Sequence, residues 1–290
     1  MAIRPAVVAD RFYEGSPAAC QRHAEALLEA AELPEDLPEN LYGGLVPHAG
    51  WVFSGGVAAL TISALARAQS PQTLVLFGAD HTGNVQLGEV FADGAWQTPL
   101  GEAGIDSELA GAVLQDQDLF RRNPEAHSRE HSLEVQVPLI QQALPEARLL
   151  PVSVPPTPSA VEIGRAMGRR VRERGEAVRI LGSTDLTHHG GHFGNPGGRG
   201  PEGVQWARKN DRRILELIEN MDAEAVIEEA GQHQNACGAG AIAASIAACR
   251  ELGAGKGILL KYTDSYEVIH RMYPGDPDDT TVGYASVVFA

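Results

Sequence analysis

The 290-residue chain carries 23 Lys and Arg against 38 Asp and Glu, a net charge of −15, so it offers no concentrated basic surface for nucleic-acid phosphates. At 43% hydrophobic and 21% charged residues it has the composition of an ordinary globular protein, long enough to build a full core without disulfide staples. Three scattered cysteines, Cys20, Cys237 and Cys249, and an opening Met-Ala-Ile-Arg-Pro followed by neither a signal core nor a spanning stretch, predict a cytoplasmic protein with no membrane partner.

The first apolar run, residues 41–47, predicts a strand that ends in Pro-His48-Ala-Gly-Trp-Val-Phe-Ser-Gly, ahead of a helix over 57–68. A second strand, 73–78, runs into Gly-Ala-Asp80-His81. The segment Glu130-His131-Ser-Leu-Glu134 leads into a helix over 133–144, followed by a strand over 148–154 and a helix over 160–174. A strand over 178–182 then repeats the earlier design, ending in Ser-Thr-Asp185-Leu-Thr-His188-His189. Residues 190–203 hold seven glycines without apolar periodicity and read as a mobile loop, placed to act as a lid. Helices over 211–219 and 239–251 and strands over 257–263 and 282–289 complete the chain. Alternating strands and helices, with strands apolar throughout, predict one α/β domain whose largely parallel or mixed sheet is flanked by helices.

Three strands thus deliver histidine at the same end, where ligands bind in open α/β sheets, so positions far apart in sequence can share one pocket. Any one of these histidines serves equally well as a strand cap, but three in matching context favour a site. Imidazole is the commonest metal ligand and needs a partner for its other nitrogen; Asp80 and Asp185 are candidates for that task. Cys237, in Gln-Asn-Ala-Cys237-Gly-Ala-Gly, should sit near a helix N-terminus that favours the thiolate, which makes it the one cysteine expected to be reactive. Cys20 and Cys249 are expected to be packed.

Five segments in order, around His48, His81, Glu130-His131, Asp185-Leu-Thr-His188 and Asn-Ala-Cys237-Gly, resemble the motifs of the Memo family, and the resemblance extends from near residue 5 to the C-terminus. It implies a fold shared with class III extradiol dioxygenases, which hold non-haem Fe(II) with two histidines and a carboxylate. It places the metal-site residues on His48, His81 and Cys237, the acid or base on His188, and a second pocket histidine on His131; in such a site Asp185 is expected to orient His188, and His131 to hydrogen-bond the ligand. A cysteine in place of the carboxylate softens the donor set, so the implied cofactor is iron(II) or copper(I), with zinc less favoured. His189 stands where the family commonly has an aromatic residue and would add a polar group to the rim. The implied partners are a small molecule or peptide in the pocket and, by the same resemblance, AMMECR1-like and radical SAM proteins.

Other readings compete. A non-catalytic peptide or protein adaptor retaining the pocket is the alternative from another class, since fold does not fix function. His127-Ser-Arg-Glu130-His131 matches the inverted zinc-peptidase pattern, but Ser128 reads as an N-cap with His131 in the following helix, which leaves His127 off its face. Gly238-Ala-Gly240-Ala-Ile-Ala243 imitates a dinucleotide fingerprint without a preceding strand, because residues 223–229 read as helix; the small residues suit close helix packing instead. Ser54-Gly55-Gly56 lacks the rest of a phosphate-binding loop, and no Gly-x-Ser-x-Gly elbow is present.

Overall fold

Along the strand Thr73–Gly78, neighbouring residues belong to different cores: Leu74 and Leu76 pack into one apolar cluster, Val75 and Phe77 into another. Strand side chains alternate between faces, so an unbroken apolar run marks a sheet covered on both sides. Leu45 and Val46 divide in the same way, as do Ile180 and Leu181, and Val287 and Val288.

The computed structural model describes residues 2–68, 70–175 and 177–290. In order they form β1 (Ile3–Arg4), α1 (Pro17–Glu29), β2 (Gly43–Val46), α2 (Trp51–Ala68), β3 (Thr73–Gly78), β4 (Gly88–Val90), β5 (Ala95–Thr98), β6 (Gly101–Gly104), α3 (Ser107–Val113) and β7 (Phe120–Arg122). Two 3-10 turns, Pro124–His127 and Glu134–Gln136, precede α4 (Val137–Ala143), β8 (Arg148–Ser153), α5 (Ser159–Arg174), β9 (Val178–Ser183) and β10 (His188–His189). A third turn, Gly191–Phe193, precedes α6 (Gly200–Glu219), α7 (Ala223–His233), α8 (Ala239–Leu252), β11 (Gly257–Asp264), α9 (Ser265–Met272) and β12 (Thr281–Phe289).

The main sheet runs β10-β12-β2-β9-β3-β8-β4-β7, with β11 antiparallel along β12. Its centre, β2-β9-β3-β8, is parallel, while β12 against β2 and β4 against β8 are antiparallel, so the sheet is mixed. Residues of α1, α2 and α4 pack into one core and those of α3, α5, α6, α7 and α8 into the other. By length and composition α2 alone, among the described residues, could cross a membrane; 61% of that window is buried, and its apolar character follows from packing between the sheet and α1.

All six predicted strands form, within a residue or two of their expected ends. The differences lie in irregular or glycine-rich segments. The helix expected over 133–144 is a 3-10 turn followed by α4, and no helix starts at Ser128. α2 begins at Trp51 and contains Gly55, where a Cβ would lie 2.8 Å from Leu27 of α1. α6 starts within the segment read as a loop, with Pro201 in its first turn. The three-stranded sheet β1-β5-β6 escapes sequence reading because its strands are only two to four residues long. As expected, α8 is a close-packing helix: a Cβ on Gly164 of α5 would strike the Ala244 carbonyl.

Parallel strands end on one side of a sheet. β2 stops at Val46, β9 at Ser183 and β3 at Gly78, so His48, Asp185 and His81 emerge two or three residues later at one edge, from three adjacent strands. The segment carrying Glu130 and His131 is held by Arg4, which is 3% exposed. Its guanidinium donates to the carbonyls of His127 at 2.6 Å and Glu130 at 2.8 Å and to the Glu134 carboxylate at 2.6 Å, and it lies 4.1 Å from the Trp96 ring centre. Glu134 also accepts from the amides of Val7 and Val8 and from the Tyr13 hydroxyl, each at 2.8–3.0 Å.

Candidate metal centre

His48 is buried, and its two ring nitrogens are distinguishable by their partners. The Ser183 hydroxyl donates to the Ser132 carbonyl at 2.7 Å, so its oxygen accepts the Nδ1 proton of His48 at 2.9 Å. A hydroxyl has one proton, and that proton is committed. Nε2 of His48 therefore keeps its lone pair, 3.2 Å from the Cys237 sulfur. His81 follows the same logic with a carboxylate: its Nδ1 meets Glu130 at 2.9 Å, and its backbone amide donates to the other Glu130 oxygen at 3.1 Å. Burial would push the Glu130 carboxyl up, but the bonds from His81 and Ser132 outweigh it and hold it down at about 2.

The donor atoms of His48, His81 and Cys237 all lie within 4.8 Å of one another, and those of His81, Glu130 and His131 form a second, overlapping group. The rings of His48, His81 and His131 have centroids 4.6–5.4 Å apart. Burial keeps His48, His131 and His188 below the ordinary histidine range; His81 keeps about a third of its side chain open to solvent, and its contact with Glu130 outweighs the remaining desolvation and raises it. These histidines line a cavity of about 560 Å³ with apolar walls from Phe12, Phe53, Ile269, Val282 and Tyr284.

Several expectations are corrected. Asp185 does not orient His188: its carboxylate accepts the His48 backbone amide at 2.7 Å, while Nδ1 of His188 meets the Leu186 carbonyl at 2.9 Å. Burial pushes the Asp185 carboxyl up to about 7. Asp80 closes its own turn, accepting from the amides of Thr82, Gly83 and Val85, and leaves His81 to Glu130. Cys237 does precede the α8 N-terminus, but burial and then the Asp185 carboxylate push its thiol up, so the dipole alone does not yield the expected thiolate. His189 is fully buried against Trp206 and pairs with Thr281, so it adds nothing to the rim. The glycine-rich segment reaches this region through Phe193, whose ring is 4.8 Å from that of His188; the cavity wall comes instead from α9 and the residues around Thr280. His127 is buried, its Nε2 2.8 Å from the Glu89 carbonyl, and it belongs to neither donor group, which removes the peptidase geometry. Cys20 and Cys249 are buried as expected. Glu130 and Ser183, which fix the two imidazoles, carry no sequence signal for that role.

If this group holds a metal, Glu130→Gln should weaken its binding by about 10–100-fold, the usual cost of losing a partner that orients a metal-ligating histidine. Competition titration with a chelator tests this; an unchanged affinity would remove Glu130 from the site.

This fold and this edge define an α/β protein with two histidines just beyond the carboxyl ends of parallel strands and a cysteine ahead of a helix, a group that could hold a metal ion. The family model for Memo-like protein matches residues 4–288, and the chain belongs to the Memo family. It is 36% identical over 296 residues to a MEMO1 family protein of Methanopyrus kandleri, covering 99% of this chain and 98% of the relative. Similar proteins with the same name occur in Methanothermobacter thermautotrophicus, at 36% over 293 residues with 98% and 99% covered, and in Pyrococcus abyssi, at 34% over 297 residues with 99% of each covered.

Proposed function

We propose that His48, His81 and Cys237 bind a transition metal, iron(II) or copper(I), for redox or oxygen-dependent chemistry on a small substrate in the adjoining cavity, on a fold related to that of the class III extradiol dioxygenases. The observation that carries this reading is the fixing of Nδ1 on both histidines, which leaves each Nε2 lone pair available beside the Cys237 sulfur. Two imidazoles and a thiol suit copper(I) and accommodate iron or zinc better than the hard cations. A bound redox metal would supply electron transfer. His188, with Nδ1 held by Leu186, presents Nε2 to the cavity and in its neutral form takes a proton from a substrate hydroxyl. His131, in the same lining, hydrogen-bonds the ligand. A peptide adaptor needs a groove but no reserved lone pairs, so the tautomers favour the metal reading.

Anaerobic purification followed by elemental analysis tests it. Wild type should carry about one iron or copper per chain, and His48→Ala should lose it. Wild type that stays metal-free when iron, copper and zinc are supplied under reducing conditions would defeat the reading and put the adaptor, with AMMECR1-like or radical SAM partners, in its place.

The pH dependence has a defined sign. The Cys237 thiol is pushed up and must release its proton on coordination; His81 is raised and releases one as well once the pH is below its pKa. His48, held low, releases none near neutrality. Affinity should therefore fall as the pH is lowered, by about tenfold per pH unit while the pH stays above the His81 pKa and by about a hundredfold per unit below it. A copper(I) affinity that stays flat between pH 6 and 8 would contradict the donor set.

A further inference from the structure

We propose that the cavity takes an aromatic-sized ligand whose end remote from the histidines is neutral or cationic, and discriminates against carboxylated and phosphorylated ligands. The inference deepens the metal reading by naming its substrate class, and rests on it only for which end of the ligand reacts. Its volume of about 560 Å³ is within the ordinary range for small-molecule sites. Among the described residues no Lys or Arg lines it, whereas Asp185 and Asp278 do. An anion entering between Phe53, Ile269, Val282 and Tyr284 would lose its hydration without gaining a cation, which is unfavourable.

The neighbouring charges support the same sign. The positive charge that His81 can take is already matched by Glu130 at 2.9 Å. Arg11 lines an adjoining groove with Asp10 and Glu14 and is near enough to His131 to help hold its imidazole down, so this guanidinium lies on the histidine side and outside the cavity lining. Asp278 is exposed, and its Oδ1 accepts from the Thr280 amide at 2.9 Å and hydroxyl at 2.7 Å, contacts that favour the carboxylate; the His270 and His192 rings are near enough to add to this. No described residue hydrogen-bonds Oδ2, which leaves it for an ammonium or hydroxyl on the ligand. The aromatic faces of Phe53 and Tyr284 line the same space and are suited to a cation.

The test compares 2-phenylethylamine, 2-phenylethanol and 3-phenylpropionate, which share a ring and differ in the charge of the tail. Binding is titrated by NMR at pH 8, where ordinary imidazoles are neutral, with the full-length protein as purified and after chelation of metal. In metal-free protein the amine should bind about fivefold more tightly than the acid, the upper range for an exposed ion pair, with the alcohol between them. Asp278→Asn should remove most of the amine's advantage over the acid and shift the alcohol less than the amine, and Phe53→Ala should weaken all three. An acid that binds as tightly as the amine, or an order indifferent to Asp278→Asn, overturns the proposal. Because the order is read without metal, a chain that never binds metal would defeat the metal reading and still leave this result to be judged.

Discussion

Cys237→Ser will lower copper(I) affinity by more than about 100-fold and leave the fold intact. Partners that only orient a ligand are worth about 10–100-fold, so removing a donor atom must cost more. Serine offers a hard oxygen that keeps its proton at neutral pH, whereas the thiol can become a soft anion under the influence of a cation. The structure explains why the change is tolerated elsewhere. The Cys237 sulfur accepts the Asp185 amide at 3.3 Å, and the Cys237 amide donates to the Asp185 carbonyl at 3.2 Å. A hydroxyl oxygen can accept in the sulfur's place, and the backbone contact does not change. Titration against a copper(I) chelator, with circular dichroism as the control on folding, reads both halves. Wild-type affinity in a folded serine variant would mean that the sulfur is no ligand.

Arg4→Ala should destabilise the protein by about 3–5 kcal/mol, the usual cost of leaving one member of a buried ion pair without its partner. Glu134 is 1% exposed and would keep its amide and hydroxyl donors but lose its cation. The His127 and Glu130 carbonyls would lose donors as well. Arg4→Lys should recover only part of the loss, because an ammonium cannot reproduce the guanidinium fork that serves three acceptors together. Urea unfolding measures both variants. A loss below about 1 kcal/mol for Arg4→Ala would show that the N-terminal strand is dispensable to the segment carrying Glu130 and His131.

The central strands were legible because burial on both faces leaves a plain mark, an unbroken apolar run, and their shared direction placed His48, His81 and Asp185 at one edge. The partners of the histidines were not legible in the same way. Glu130 is 49 positions from His81 and lies in a segment that reads as the start of a helix but is irregular in the structure, and Ser183 is a small residue at a strand end like many others. Asp80 was the natural choice beside His81, but a carboxylate so close in sequence is better placed to close its own turn than to reach an imidazole. The state of the Cys237 thiol was less legible, because proximity to a helix N-terminus is visible in the sequence whereas the shielding and the Asp185 carboxylate that push the thiol up are not. His189 was misjudged for the same reason: adjacent residues on a strand face opposite ways, so its neighbour's place in the cavity sends it into the core.

The close packing around α8 has a consequence for the sulfur. A Cβ on Gly238 would strike the Ser183 carbonyl, one on Gly240 the Pro155 carbonyl, and one on Gly164 of α5 the Ala244 carbonyl. The position of Cys237 is therefore set by clearance between backbones, with no side chain available to rotate aside. An added methyl at Gly164 would act as a wedge, driving α8 along or away from the sheet and carrying the sulfur off the imidazoles while every donor remained in the sequence. Alanine at this chemically silent position would be a remote way of disarming the centre.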